Sequence, residues 1–81
     1  MRGNGVDAKT ILKEIRALLE REKRINLHRY PILLSFSNSD LIMEGEAESI
    51  AAKKLALELA GAFRGIGNIV DRLRVVPAER M

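Results

Sequence analysis

Two stretches of alternating apolar residues, separated by two polar residues, constrain the fold of this chain more than any other feature. The apolar side chains of one parity are Ile32, Leu34 and Phe36 before the turn, and Leu41, Met43 and Ala47 after it. A period of two places them on one face of a β-hairpin. Asn38–Ser39 is the turn, because asparagine accepts the left-handed backbone that a two-residue turn requires. The sequence therefore predicts strands at Ile32–Ser37 and Asp40–Ala47.

A helix with an apolar stripe follows the hairpin. Ser49 is a suitable N-cap for a helix from Ile50 to about Arg64, and Gly65 is suited to end it with a left-handed backbone. The apolar side chains recur at three- and four-residue steps: Ala52, Leu55, Ala56, Leu59 and Phe63. Several of them are small, which favours close packing of this helix on its neighbours.

Alternation resumes after the helix and predicts a third strand at Ile69–Val76. Its inward apolar residues are Ile69, Leu73 and Val75. Asp71 shares their parity, and burying an unpaired carboxylate costs several kcal/mol. We therefore expect Asp71 to lie near the sheet edge or to accept hydrogen bonds from backbone amides. A helical crossover returns the third strand parallel to the second, which predicts the strand order 1-2-3.

A first helix precedes the hairpin, from about Asp7, a suitable N-cap, to Lys23. Its apolar residues also recur at helical steps: Ala8, Ile11, Leu12, Ile15, Leu18 and Leu19. Residues 1–6 and 78–81 show no structural pattern and are predicted to be disordered. The chain of 81 residues is therefore expected to form one domain over residues 7–77.

These elements predict an α+β fold in the order α-β-β-α-β, with two helices packed on one face of a three-stranded mixed sheet. Gly45 lies on the inward parity of the second strand, where a missing side chain favours close approach of another element or a bulge. We expect a helix to cross over it. On the opposite face, Arg72 and Arg74 are expected to pair with Glu44 and Glu46 on the neighbouring strand.

Charge is distributed unevenly along the chain. The formal net charge is +3, and it divides into +4 over residues 1–30, −4 over residues 31–48 and +3 over residues 49–81. The hairpin is therefore acidic and its surroundings are basic. A mild positive balance permits attraction to anionic lipid or nucleic acid but requires neither. Most surface charge is simply solvated and internally paired, and that alternative stays open here.

The order of elements and the glycine spacing resemble the BON domain, named for bacterial osmotically inducible and nodulation proteins. The family's second-strand pattern, apolar-x-Leu-x-Gly-x-Val, is matched by Leu41-Ile42-Met43-Glu44-Gly45-Glu46-Ala47. Its third-strand pattern is matched by Gly65-Ile66-Gly67-Asn68-Ile69-Val70-Asp71-Arg72-Leu73-Arg74-Val75. Met43, Ala47 and Asp71 depart from the family's Leu, Val and Asn. The resemblance covers roughly residues 7–77, and it identifies Gly45 and Gly65 as structural glycines.

The resemblance implies a non-catalytic module of the bacterial envelope or periplasm that binds membranes or ligands, often within a longer protein. An anionic phospholipid surface is the leading partner, and a partner protein or a second copy of the domain is the alternative. Candidate headgroup contacts cluster around the end of the first helix: Arg21, Lys23, Arg24 and Arg29. A candidate interface lies on the uncovered sheet face: Leu33, Ile42, Val70, Arg72, Arg74 and Val76.

Other functional classes have weaker support. The spacing of Gly65-Ile66-Gly67 is not the Gly-x-x-Gly of a KH domain, and the strands lack the stacking aromatic residues of an RRM. With one histidine, His28, and no cysteine, no catalytic or metal-ligand constellation is visible, so no enzyme activity or cofactor is expected. Binding of a small ion by the acidic hairpin stays open. The expected location is the periplasm or envelope if a leader has been removed, and otherwise the cytoplasm.

Overall fold

The computed structural model describes residues 8–76 and has the predicted α+β architecture. Its elements are α1 (Ala8–Arg21), β1 (Ile32–Ser37), β2 (Asp40–Ala47), α2 (Ile50–Gly61) and β3 (Ile69–Val75). The predicted bounds of β1 and β2 are confirmed. The predicted N-cap at Asp7 and the predicted disorder of residues 1–6 and 78–81 lie outside the described residues.

The three strands form a mixed sheet in the predicted order β1-β2-β3. β1 pairs antiparallel with β2, with Leu34 opposite Met43, and β2 pairs parallel with β3, with Glu44 beside Arg72. Asn38 has a φ of 59° in the hairpin turn, as its sequence position predicts. Pairing with β2 continues one residue beyond β3, because Val76 donates its backbone N–H to Ala47 O at 2.8 Å.

One continuous apolar core fills the space between the helices and one face of the sheet. Its large buried side chains come from α1, β1, β2 and β3, and from the loop after α1: Ile11, Ile15, Leu19, Ile25, Ile32, Leu41, Met43 and Leu73. The strand residues among them point to one face of the sheet, and the opposite face carries neither α1 nor α2. The prediction that both helices cover one face is confirmed.

The helix α2 approaches the core through a stripe of alanines, Ala52, Ala56 and Ala60, all of which are buried. The larger side chains predicted for this stripe, Leu55, Leu59 and Phe63, are only half-buried and flank it. Small side chains let the helix backbone come close to its neighbours. The result is a helix positioned by backbone proximity as well as by large apolar side chains.

The predicted start of α2 is confirmed, but its predicted end is wrong. Ser49 is the N-cap, and its hydroxyl accepts a hydrogen bond from the Ala52 N–H at 3.0 Å. The helix ends at Gly61 rather than Arg64, because Ala62 and Phe63 donate to carbonyls three residues back, at 3.3 and 3.2 Å, and tighten the last turn. Gly65 has a positive φ of 90° but lies in the turn that follows.

Gly45 is held by the start of β1 and not by a helix. Its φ is 140°, and a Cβ atom added there would lie 2.3 Å from Pro31 O and 3.2 Å from Ile32 Cα. Pro31 O also accepts a hydrogen bond from the Glu46 N–H at 3.4 Å. The expectation of close approach is confirmed, but the expected crossing helix is wrong, because the β1 backbone occupies that position.

The first helix is shorter than predicted at its C-terminal end. It stops at Arg21, and the next residues form a turn in which Glu22 donates its N–H to Leu19 O at 3.2 Å. Ile11, Ile15 and Leu19 form its buried stripe, whereas Ala8 is exposed although the spacing predicted an inward position. The apolar periodicity therefore predicted the face of the helix better than its length.

Candidate functional site

The predicted headgroup contacts lie at the end of α1 and in the loop between α1 and β1: Arg21, Lys23, Arg24 and Arg29, which we call the basic end. Ile25 anchors this loop, since it is buried in the core and its N–H donates to Glu22 O at 3.1 Å. Asn26 organises the second half of the loop. Its Oδ1 accepts from the Arg29 N–H at 3.2 Å, and its backbone O accepts from the Tyr30 N–H at 2.8 Å. These contacts fix the backbone that carries the basic side chains.

Arg24 is committed to a neighbouring acid. Its Nε donates to Glu22 Oε2 at 2.8 Å and its Nη2 to Glu22 Oε1 at 3.2 Å, in a two-pronged ion pair. The Arg24 side chain is nevertheless 73% exposed. The hydrogen bonds from Arg24 lower the pKa of Glu22, and Glu22 in turn raises the pKa of Arg24. This pairing offsets the Arg24 charge, and the Glu-x-Arg spacing in the sequence was the signal that could have indicated it.

Arg21 and Lys23 line one open groove together with Asn26, Leu27 and His28. Both cations are exposed, and neither forms an ion pair with a residue that the structure describes. Arg16 also lines the groove, and so do the acids Glu20 and Glu22. The groove is therefore mildly cationic rather than strongly so.

The remaining basic residue, Arg29, lies beside this groove and does not line it. Its guanidinium carbon is 5.9 Å from the centre of the Tyr30 ring, near the outer limit of a cation–π contact. Lys23 and Arg24 together border a second groove that runs past Ser49 and Lys54. The structure thus brings Arg21, Lys23 and Arg24 into one neighbourhood and leaves Arg29 at its margin.

The predicted sheet-face residues lie on the uncovered face, where their alternation places them. Leu33 is 65% exposed, while Ile42, Val70 and Val76 are half-buried and Arg72 and Arg74 are exposed. Ile42 and Val70 are direct neighbours in the register, so their side chains form a short apolar strip across β2 and β3. Leu33 stands apart from that strip in the row that contains Glu44 and Arg72.

The charges of this face nearly cancel. Arg74 Nη2 lies 3.6 Å from Glu46 Oε2, which confirms one of the two predicted pairs. Glu44 and Arg72 face each other in register, but they do not form an ion pair. The two residues are therefore neighbours, as predicted, but the predicted ion pair between them is wrong. With three acids, Asp40, Glu44 and Glu46, against two arginines, this face does not strongly attract either sign of partner.

Asp71, the acid among the inward apolar residues of β3, has partners for both carboxylate oxygens. It lies on the edge strand β3, and its Oδ1 accepts a hydrogen bond from the Leu73 N–H at 3.0 Å. Its Oδ2 lies 3.3 Å from Lys53 Nζ on α2. Both expectations for Asp71, a place at the sheet edge and an amide donor, are confirmed.

The loop before β3 rests on the hairpin turn, a contact that the sequence did not indicate. Gly67 donates its N–H to Ser39 O at 2.7 Å, and a Cβ atom at Gly67 would lie 3.2 Å from Ser39 Cβ. The Asn68 Nδ2 also lies 3.4 Å from Asp40 Oδ1. Gly67 is therefore a close-approach position.

Neither α1 nor α2 is long and apolar enough to cross a bilayer. Between residues 8 and 76, no three His, Asp or Glu side chains converge in a way that could hold a metal ion. No protein-family model matches the chain, and no curated protein matches it in sequence. The resemblance to the BON domain accordingly stays a prediction.

Proposed function

We propose that this domain is a non-catalytic binding module that associates with anionic phospholipid surfaces through its basic end. The observation that supports this most is the pair Arg21 and Lys23, two exposed cations without ion-pair partners among the described residues. Arg21 ends α1, and Lys23 lies in the loop that Ile25 and Asn26 fix. The resemblance to the BON domain implies the same class of partner. An envelope location would supply such surfaces.

The expected attraction is weak and sensitive to salt. A basic residue near an anionic membrane contributes about 1 kcal/mol, so Arg21, Lys23 and Arg29 together would contribute about 3 kcal/mol. Arg24 adds less, because Glu22 already offsets its charge. Surface charges of this kind are screened over roughly 8 Å at physiological ionic strength. Reversible, peripheral association is therefore the mode that these contacts favour.

A partner protein on the uncovered sheet face is the second candidate. The observation in its favour is Leu33, 65% exposed beside a nearly neutral mixture of acids and arginines. Nearly neutral charge with exposed apolar area suits a protein surface better than an anionic lipid surface. The two candidates use different faces of the domain, so one set of variants separates them.

Co-sedimentation with vesicles tests the lipid proposal directly. The domain is mixed with vesicles of phosphatidylcholine alone or of phosphatidylcholine and phosphatidylglycerol in equal parts, at low and at physiological salt. We expect binding to the anionic vesicles only, and weaker binding at the higher salt. Absence of binding at low salt, or equal binding to both vesicle types, contradicts the proposal.

Charge-matched variants locate the contact. Arg21→Glu with Lys23→Glu lowers the formal net charge from +3 to −1, since each reversal subtracts two, and should weaken vesicle binding about tenfold or more. The control is Arg64→Glu with Arg72→Glu, which makes the same charge change away from the basic end. An equal loss in the control would show that net charge, and not the basic end, governs binding.

Glu22→Gln refines the same test in the opposite direction. It removes the acid that is paired with Arg24 and so leaves a further exposed cation at the basic end. We expect tighter binding to anionic vesicles at low salt.

In the unsubstituted protein, the pKa of Glu22 is lowered by Arg24, so the ion pair is present above the ordinary glutamate pKa and is lost as pH falls through the lowered value.

A further inference from the structure

The free edge of β1 has an identifiable set of outward backbone groups. Pro31 O accepts a hydrogen bond from Glu46 N on β2, so the odd-numbered residues of this segment direct their backbone groups towards β2. The backbone groups of Ile32, Leu34 and Phe36 therefore point away from the sheet. Arg16 Nη2 approaches from that side and donates to Ile32 O at 3.2 Å, which agrees with this assignment.

Most of this edge is open. Among residues 8–76, nothing other than Arg16 donates to or accepts from the outward groups of β1, so the N–H and C=O of Leu34 and Phe36 are free. The strand, Ile-Leu-Leu-Ser-Phe-Ser, contains no charged residue, no proline and no glycine. Soluble proteins usually protect an edge strand with such residues, because a bare edge is a template for another strand.

We propose that the β1 edge pairs with β1 of a second copy of this chain, antiparallel and about a two-fold axis at Ser35. Leu34 then lies opposite Phe36 of the second copy, and Phe36 opposite its Leu34. Four backbone hydrogen bonds form, and they use the four outward groups of Leu34 and Phe36 in each copy. Two three-stranded sheets become one sheet of six strands. This assembly does not depend on lipid binding, and it uses an edge rather than the sheet face considered above.

The contact of Arg16 with Ile32 O favours this register over the one centred on Leu34. Opposite residues in an antiparallel pair point to the same face, so a two-fold axis must pass through one residue position. An axis at Leu34 would require the groups of Ile32, whose carbonyl Arg16 already occupies. An axis at Ser35 uses Leu34 and Phe36 alone and covers their half-exposed side chains.

A single cysteine provides the sharpest test, because the chain has none of its own. In the proposed register, residue 35 faces residue 35 of the second copy in a pair whose Cα atoms lie about 4.5 Å apart. That separation falls within the disulfide range of about 4.4–6.8 Å. Ser35→Cys should therefore form a disulfide-linked dimer rapidly under mild oxidation.

Ser37→Cys is the matched control, since both serines are exposed on the same face of the same strand. In the proposed register, the two copies of residue 37 are four positions apart along the strand, about 14 Å, which is beyond disulfide reach. Cross-linking at position 35 and little at position 37 supports the register. Equal or faster cross-linking at position 37 overturns it.

Charge substitutions test the association without any covalent bond. The mass of the unsubstituted protein, measured by sedimentation equilibrium from about 10 μM to about 1 mM, should rise from 9.1 kDa towards twice that value. Ser35→Lys or Ser35→Glu alone places like charges opposite each other and should raise the dimer dissociation constant about fivefold or more. Mixing the two variants should restore association as a heterodimer.

Arg72→Ser is the control for these measurements, because it changes charge at the opposite edge and should leave the dimer unaffected. A protein that remains monomeric throughout the concentration range overturns the proposal. So does a mixture of the Lys and Glu variants that associates no better than either variant alone. Circular dichroism of each variant shows whether its fold is retained, and the cysteine test stands independently of the charged variants.

Discussion

Each edge of the sheet has one outward backbone group that a side chain covers, and the two edges differ in the charge of the strand itself. Val76 donates its N–H to Ala47 O on β2, so the even-numbered residues of β3 direct their backbone groups towards β2. The backbone N–H and C=O of Leu73 therefore point away from the sheet, although its side chain is in the core. The outward N–H of Leu73 is bonded by Asp71, which in turn lies 3.3 Å from Lys53. At the β1 edge, Arg16 donates to Ile32 O, and no hydrogen bond from residues 8–76 reaches the four outward groups of Leu34 and Phe36.

The residues of the two strands account for this difference. β3 carries Asp71, Arg72 and Arg74 within seven residues, whereas β1 carries no charge at all. A second β3 strand placed antiparallel to this one would bring arginines close to arginines and displace Asp71 from its amide. Both edges belong to the same small sheet, yet only one is protected against pairing. An edge is therefore closed by its particular side chains and not by its position.

The largest expected effect compares the two edge strands as parts of the core. Leu73→Ala on β3 removes a side chain that is 5% exposed and should lower the free energy of unfolding by about 3 kcal/mol. Leu34→Ala on β1 removes a half-buried side chain and should cost about half as much. Urea unfolding measures both. Equal losses would show that β1 is held to the core as firmly as β3.

A substitution at Gly45 should weaken the contact between β2 and the start of β1. Gly45→Ala places a Cβ atom against Pro31 O and forces a non-glycine residue to a φ of 140°, so we expect a loss of about 2–3 kcal/mol. Gly61→Ala is the control, because its Cβ would have only Ile69 Cδ1 nearby, at 3.7 Å, and alanine favours a helix. Urea unfolding should show a loss for the first variant and no loss for the second. Equal stability of the two variants would contradict the constraint at Pro31.

Alternation and capping predicted the secondary structure well, because both depend on nearby residues. The bounds of β1 and β2 and the cap at Ser49 follow from local patterns and are confirmed. The end of α2 was missed because a tightened last turn ended the helix before Gly65. The partner of Gly45 was missed as well, since only the three-dimensional structure shows that Pro31 returns to that point.

In the candidate sites, too, the sequence predicted what depends on strand alternation and missed what depends on side-chain conformation. The parity of β2 and β3 was enough to place Arg74 beside Glu46 and to require a partner for Asp71. Parity could not indicate that Glu44 and Arg72 remain apart, because the ends of long side chains are set by rotamers and solvent. The register and the outward groups of β1 depend on strand pairing. The sequence alone could show only that β1 is uncharged.

Removing Asp71 should open the protected edge. Asp71→Ala frees the Leu73 N–H and the Lys53 ammonium, and we expect a loss of about 1 kcal/mol in the free energy of unfolding. Asp71→Asn keeps an acceptor for the amide and should lose less. Hydrogen exchange at the Leu73 amide gives a direct measurement and should be faster in Asp71→Ala. Unchanged exchange would mean that the carboxylate does not protect this edge.

The smallest expected effect concerns the single covered group of the β1 edge. Arg16→Met keeps much of the apolar stem but removes the donor to Ile32 O, and because Arg16 is exposed we expect a loss of about 0.5 kcal/mol or less. The variant also tests the register of the proposed dimer, because the freed Ile32 carbonyl allows β1 strands to pair about an axis at Leu34. Combined with Ser35→Cys, it should therefore slow disulfide formation at position 35. An unchanged cross-linking rate would show that the Leu34 and Phe36 groups select the register without help from Arg16.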